Sequence, residues 1–383
     1  MTERLYYLDS YTREFEARVL ECRALEKGYA LLLDRTAFFP EGGGQLADTG
    51  RIGAARVSDV QLRGGEILHF TDLAIAPGER VDCELDWEQR LRRMQNHSGE
   101  HIVSGLAHKL YGCDNVGFHM GESMTIDFNK ELDAQQLTRL EQLANEAVRA
   151  NLPIRCFFPV KQELERLSYR SKLELSEDVR LVEIEGTDLC ACCAPHVRCT
   201  GEVGIIKLQD SMRHRGGVRV TLCCGMDALE DYRRKQDSAA GISALLSCRR
   251  DETLPAVKRL LEEQQRQKER IAELSLALVE LKAASFEKTE GNICLFDNVL
   301  DEVALRKAAN LLMEKCGGLA AVFSGDDENG YRYIIGSRSF DLRAASKAIN
   351  AGINGRGGGR SEMIEGRAAK PAAQIESFIA SFK

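Results

Sequence analysis

Two short segments, far apart in this chain, carry residues that hold a transition metal, and serving one ion with both dictates how the chain must close. His97-Ser-Gly-Glu-His101 sets two imidazoles four residues apart, on one face of a helix and one turn from each other. About 95 residues later, Cys192-Cys-Ala-Pro-His196 repeats the four-residue step with a thiol and an imidazole. Together they form a tetrahedral N/S set, His97, His101, Cys192 and His196, which favours zinc over magnesium or calcium. Three of the seven histidines fall in these two motifs, more than scattered surface histidines would place there. Cys190 and Cys193 are rival sulfur ligands. Cys190-x-x-Cys193 is also a candidate redox pair, ranked lower because no thioredoxin-like βαβ pattern surrounds it. The 97–101 segment also fits H-x-x-E-H, the inverted zinc-peptidase signature with Glu100 as base. That reading takes a third ligand from a downstream carboxylate and leaves Cys192 and His196 without a task.

The surrounding pattern predicts an α+β chain in four parts. Residues 1–90 alternate in short runs such as Ala30-Leu-Leu-Leu-Asp34 and Glu66-Ile-Leu-His-Phe70, broken by glycine, and read as a small β-barrel. Within them Phe38-Phe-Pro-Glu-Gly-Gly-Gly-Gln45 requires tight turns or close backbone approach, as in a hairpin loop. Residues 91–235 form an α+β metal-binding domain. Leu91, Met94, His97, His101 and His108 recur at helical steps, residues 133–150 form an amphipathic helix, and strand-like runs cover 154–158, 179–184, 203–208 and 218–223. Residues 236–286 are a helical linker in which Leu254, Val257, Leu260, Ile271, Leu274, Leu278 and Leu281 keep a coiled-coil spacing. Pro255 falls in the first turn of that helix, where proline is tolerated. Residues 287–383 form a separate α/β unit, with Gly355-Arg-Gly-Gly-Gly-Arg360 as a glycine-rich turn.

The 383 residues are 44% hydrophobic and 29% charged, as in an ordinary globular protein. There is neither an apolar run of membrane-spanning length nor a basic-then-apolar leader, so the expected location is the cytoplasm. Thirteen cysteines, an odd number in a long chain, read as reduced thiols with one or two serving a metal. A net charge of −7 excludes a general nucleic-acid coat but not local phosphate contact. Two basic patches qualify for that contact: Lys207, Arg213, His214, Arg215 and Arg219, and Arg356, Arg360, Arg367 and Lys370.

Three stretches in this order resemble the free-standing alanyl-tRNA editing proteins of AlaX type, which are similar to the editing domain of alanyl-tRNA synthetase. They are Phe38–Gln45, His97–His101, and Asp188-Leu-Cys-Ala-Cys-Cys-Ala-Pro-His-Val197 followed by Thr200-Gly-Glu-Val-Gly204. Here Ser98 replaces the family's usual threonine, and Cys193-Ala-Pro195 replaces its Gly-Gly-Thr. Gly355–Met363 resembles the glycine-rich motif of the DHH-associated domain that closes those synthetases. The resemblance implies hydrolysis of Ser-tRNA(Ala), and of Gly-tRNA(Ala), with Ala-tRNA(Ala) spared. It implies Zn2+ on the four ligands, and Ser98, Glu100 and His119 as catalytic residues. Gly42, Gly43, Gly44, Gln45, Glu122 and Arg219 would contact substrate, and Arg356, Gly357, Gly358, Gly359 and Arg360 would contact RNA. Ser98 is the candidate partner for the serine hydroxyl, because a pocket selects an added hydroxyl better by a polar partner than by size. The expected partners are tRNA(Ala) and a second copy of the chain, joined through residues 251–383. Aminoacylation and anticodon-reading modules have no room before the barrel, so synthetase activity is not expected. A non-catalytic tRNA-binding module with a structural zinc is the alternative.

Overall fold

The alternating runs of the first ninety residues build six strands: β1 (Glu14–Ala24), β2 (Tyr29–Leu33), β3 (Gly50–Ile52), β4 (Ala55–Arg63), β5 (Glu66–Thr71) and β6 (Arg80–Leu85). In this computed structural model, which describes residues 2–121, 123–171 and 179–383, they pair in the order β1-β2-β5-β4-β3-β6, and β6 returns to β1. Closure leaves no unpaired edge. On β6 the buried Val81, Cys83 and Leu85 alternate with exposed Arg80, Asp82 and Glu84, the two-residue period of a strand with one dry face. Phe38 and Phe39, at the start of the glycine-rich segment, pack into the same core with Val19, Leu33 and Ile52.

Helix α1 (Trp87–Tyr111) follows. The Asp86 carboxylate accepts from the Gln89 backbone N–H at its start, and Gly112, at φ +56°, ends it in the left-handed conformation glycine tolerates. Every residue from Met94 to Gly105 is buried, although the run holds two histidines, Gln95, Asn96 and Glu100. Such a helix is costly unless each polar group finds a partner. Gly99 and Gly105 let neighbours close on it, since a Cβ at either would overlap Cys224 or the Thr187 carbonyl. One side is covered by a four-stranded sheet of β7 (Asn115–Met120), β8 (Met124–Phe128), β12 (Ile206–His214) and β13 (Gly217–Cys224), in the order β12-β13-β8-β7. Helix α2 (Ala134–Ala150) shares that core through Leu140, Ala144 and Val148. A small sheet of β9 (Ile154–Phe157), β10 (Leu181–Ile184) and β11 (Asp188–Ala191) leads into the second ligand segment. The run read as a strand at 203–208 instead starts with a 3-10 turn over Thr200–Val203, and the strand begins at Ile206.

These elements fall in the first of two compact units, Met1–Ser238, and the second is Ala239–Lys383. The second contains α3 (Thr253–Ser285), the long helix expected from its spacing, with Leu254, Leu260, Leu261, Ile271, Leu274 and Leu281 exposed. Its C-terminal turns bury Val279 and Ala283 against α4 (Glu302–Met313). Strands β14 (Ile293–Asp297), β15 (Leu319–Asp326), β16 (Gly330–Ser337), β17 (Gly355–Gly359) and β18 (Met363–Ala368) form one sheet ordered β14-β15-β16-β18-β17. One face packs on α3 and α4, the other on α5 (Leu342–Ile353) and α6 (Ala372–Ser381). The segment 355–359, read from sequence as a turn, is an edge strand. Glycine is normally depleted in strands, but a Cβ on Gly357 would meet the Glu365 carbonyl and the Tyr333 hydroxyl, and one on Gly359 the Met363 carbonyl. Among the described residues no helix is long and apolar enough to cross a membrane.

Two stability predictions follow from this packing. Gly99→Ala forces α1 off Cys224 and should destabilise the protein by about 1–3 kcal/mol, seen as a lowered Tm. In the barrel, burial pushes the His69 imidazole down to about 4, with its nitrogens on Thr36 Oγ1 (2.8 Å) and the Leu31 carbonyl (3.2 Å). The unfolded chain takes up this proton below about pH 6.5 and the folded chain only near 4, so stability falls on acidification through that window. The loss from pH 7 to 5 should be about 2 kcal/mol. Denaturant midpoints should show that slope flattened in His69→Gln.

Candidate metal centre

Helix α1 and the segment after β11 meet where the sequence pattern required them to. One ligand atom each from His97, His101, Cys192 and His196 lies within 4.8 Å of all the others. Cys192 Sγ is 3.5 Å from His97 Nε2 and 3.4 Å from His196 Nε2. In a tetrahedral zinc site, with bonds of roughly 2.0–2.3 Å, neighbouring donors stand roughly 3.3–3.6 Å apart. The residues present therefore fit such an ion in chemistry and in size. Cys192 packs against the cores of both the barrel and the α1 sheet, so the cage lies on the seam between them.

Each imidazole is turned by a partner from a different part of the chain. His97 Nδ1 donates to Gln45 Oε1 (2.9 Å), His101 Nδ1 donates to Asp188 Oδ2 (2.9 Å), and His196 Nδ1 shares a hydrogen bond with Ser98 Oγ (3.0 Å). With the Nδ1 protons engaged, all three Nε2 lone pairs are left for the ion. Asp188 is gripped on both oxygens by Arg170 (2.8 Å each). Burial alone would raise this carboxyl, but the hydrogen bonds from His101 and Arg170 hold it below the usual carboxylate range. Arg180 fixes the second segment by donating to the Cys192 (3.0 Å) and Ala194 (2.8 Å) carbonyls. Burial, helped by neighbouring Cys193, pushes the Cys192 thiol well up, and burial with the adjacent His101 and His97 pushes His196 well down. Loading the cage with a cation would therefore release the Cys192 thiol proton.

The remaining sequence candidates are placed as follows. Gly42 and Gln45 close a tight turn through mutual backbone hydrogen bonds. Gly44, at φ +84°, lies where a Cβ would strike the Phe118 carbonyl, and Gly43 lies against Cys193. The Met120 N–H donates to the Gly44 carbonyl (3.1 Å), docking this loop on β7 and delivering Gln45 to His97. Ser98, expected to sense a substrate hydroxyl, is fully buried, shares a hydrogen bond with His196 Nδ1, accepts from the Val197 N–H, and therefore acts beneath the ligands. Glu100, expected as a catalytic base, is also buried. Its Oε1 accepts from Ser104 Oγ (2.6 Å) and from Asn115, and its Oε2 lies 3.8 Å from His101 Nε2. Tied in this way, with Cys192 and His196 completing the cage, it does not fit the peptidase arrangement. His119 is exposed on β7, 3.7 Å from Asp127, and is not one of the cage residues. Arg219 is bound through two nitrogens to Asp127 (2.6 and 2.7 Å). Glu122 lies outside the described residues. No cysteine is in a disulfide. Cys190 belongs to a second grouping with His101 and Asp188, but that aspartate is already taken by Arg170. Sequence reasoning missed Asp188, Arg170 and Arg180 as supports. The only signal was that Asp188 opens the stretch carrying the second motif.

Three family models match: threonyl and alanyl tRNA synthetase second additional domain over residues 179–220, tRNA synthetases class II (A) over 10–89, and the DHHA1 domain over 291–383. Proteins named alanine–tRNA ligase are similar along most of the chain. That of Natronomonas pharaonis is 34% identical over 85% of this chain, that of Pyrobaculum neutrophilum 33% over 96%, and that of Methanopyrus kandleri 31% over 98%. The chain is related to the alanine–tRNA ligases along most of its own length. It spans 37%, 42% and 44% of the length of those three proteins. The second-additional-domain match includes Cys192 and His196 and starts just before Arg180, so it covers the segment that closes the cage.

Asp188→Asn keeps the shape and removes the charge that turns His101. Metal affinity, measured by competition with a chelating dye, should fall about 10–100-fold while the fold persists. Unchanged affinity would show that His101 is held without it.

Proposed function

We propose that this chain is a trans-editing hydrolase that deacylates Ser-tRNA(Ala), and Gly-tRNA(Ala), while sparing Ala-tRNA(Ala), in the cytoplasm. The observation that carries the reading is the zinc-sized N/S cage on the seam of two cores, beside a glycine-rich loop, in a relative of the alanine–tRNA ligases. Bound zinc would supply a fixed positive charge and Lewis acidity at that point. His97, His101 and His196 present Nε2 to it and Cys192 its sulfur. Gln45, Asp188 and Ser98 keep the rings oriented, Ser98 as a positioning residue. The Gly42–Gln45 loop walls the site close to the ligands. His119, exposed on β7, is the group that can hold or pass a proton at Nε2 while water adds to the ester carbon and the ribose oxygen leaves with a proton. Serine is distinguished by its hydroxyl, which needs a polar partner once water is excluded. Arg356, Arg360 and the strand between them lie open to RNA phosphates, and the exposed leucines of α3 offer a surface for a second copy.

The four protein ligands leave the cage no vacant vertex, as in structural zinc sites. That favours, as a second reading, a non-catalytic tRNA-binding module. Deacylation assays on Ser-, Gly- and Ala-tRNA(Ala) separate the two. Serine should be released and alanine retained, and Cys192→Ala should lose zinc together with at least about 100-fold of the activity. No release from any of the three esters by zinc-loaded protein would leave the second reading.

A further inference from the structure

The two basic patches of the sequence fare differently in the fold. In the first, Lys207 pairs with Glu141, Arg213 with Glu131 and Arg219 with Asp127. In the second unit, the strand register lines up three arginines with no ion-pair partner among the described residues. Arg356 on β17 stands opposite Arg367 on β18, and Arg367 opposite Arg332 on β16. Directly paired residues project from the same face, so the three form a row across three adjacent strands, each step about 4.8 Å. All three are exposed, and among the described residues none makes an ion pair. The acid on the same face of β18, Glu365, is engaged by Arg306 of α4.

Like charges set directly opposite one another destabilise a sheet, so the row is costly unless an anion meets it. At the β17 edge this face is open. Apart from Arg356, β17 consists of glycines, and Gly358 has open space where a side chain would project. The opposite face at this level is filled by Tyr331, Tyr333 and Ala368, packed on the core with α5 and α6. The arginines thus stand on strands whose other face is packed.

We propose that Arg332, Arg356 and Arg367 form a phosphate-tracking row that grips the sugar–phosphate backbone of the tRNA. This rests on the RNA-directed reading above and extends it from the 356–360 motif to a three-strand surface. Guanidinium groups take phosphate oxygens in paired hydrogen bonds, and a row of them suits a linear polyanion better than a single compact anion. In a chain of net charge −7 such a row is a local exception, as a phosphate contact requires. The contacts carry no base information. They add affinity and fix the direction of the strand.

The test uses the full zinc-loaded chain, wild type and the R332Q/R356Q/R367Q variant, binding an uncharged tRNA(Ala) transcript across a potassium chloride series. Three lost phosphate contacts should make the plot of log Kd against log salt shallower by about two to three and weaken low-salt binding on the order of tenfold or more. The thermal midpoint should hold or rise, since repulsion is relieved. An unchanged slope would overturn the proposal, as would an equal slope change with heparin, which would mark a face for any polyanion. A variant that unfolds is replaced by the three single substitutions, each expected to lower the slope by somewhat under one, and no change in any of them overturns the row. Because binding of uncharged tRNA is read directly, the result is independent of whether the cage hydrolyses an ester.

Discussion

Three imidazoles must offer the same nitrogen to one point, and the first unit is organised around that requirement. A histidine ring chooses its free nitrogen by what the other one touches. Here the choice is made by an amide from a glycine-rich loop, a hydroxyl from the same helix as two of the ligands, and a carboxylate from a strand. Loop, helix and strand are thereby fixed to one another through groups that are not themselves among the four candidate ligands. Gly99 and Gly105 on the helix and Gly44 in the loop leave no room for a Cβ, so neighbouring segments close tightly on both.

This arrangement explains why a helix as polar as α1 is buried. Its interior groups are paired outward in several directions: Gln95 to the Glu202 carbonyl, Asn96 to Asp227, Glu100 to Ser104 and Asn115. Arg90 extends the principle to the barrel. It is wholly buried, donates to the Ala37 carbonyl (2.7 Å) and pairs with Asp48 (3.0 Å), which also accepts from the Phe39 N–H (2.7 Å) and lies 3.8 Å from Arg93. The two ends of the glycine-rich segment are thus anchored to α1, and the loop between them can present Gln45 only to His97. A buried ion pair of this kind is weak evidence for stability, but here it defines where a loop must lie.

The C-terminal unit follows a different logic. Its sheet is covered on both faces over most of its width, with aliphatic residues toward α4 and tyrosines toward α5. Coverage fails at the β17 edge, where glycine removes the side chains that would close it. The same residues that make the strand poor in packing make it approachable.

Much of the candidate site was legible beforehand, because ligand chemistry and helical periodicity are local. Two His-x-x-x-His-like steps needed only the geometry of one turn to be read as donors, and the long leucine spacing of α3 and the mixed α+β character follow from periodicity of the same kind. Everything that depends on what lies across a gap was not legible. Ser98 was read as facing substrate because position in a motif does not reveal which way a side chain turns. The fold turned it under His196. Glu100 likewise matched a base by spacing, but found Ser104 and Asn115 only once β7 lay alongside α1. The glycine run at 355–359 read as a turn because glycine's local preference is weak, whereas hydrogen bonding to β18 is a long-range decision. Strand register set Arg219 against Asp127 in one basic patch and lined up Arg332, Arg367 and Arg356 in the C-terminal unit. A sequence states how many charges there are, and only pairing across strands determines which of them remain uncompensated.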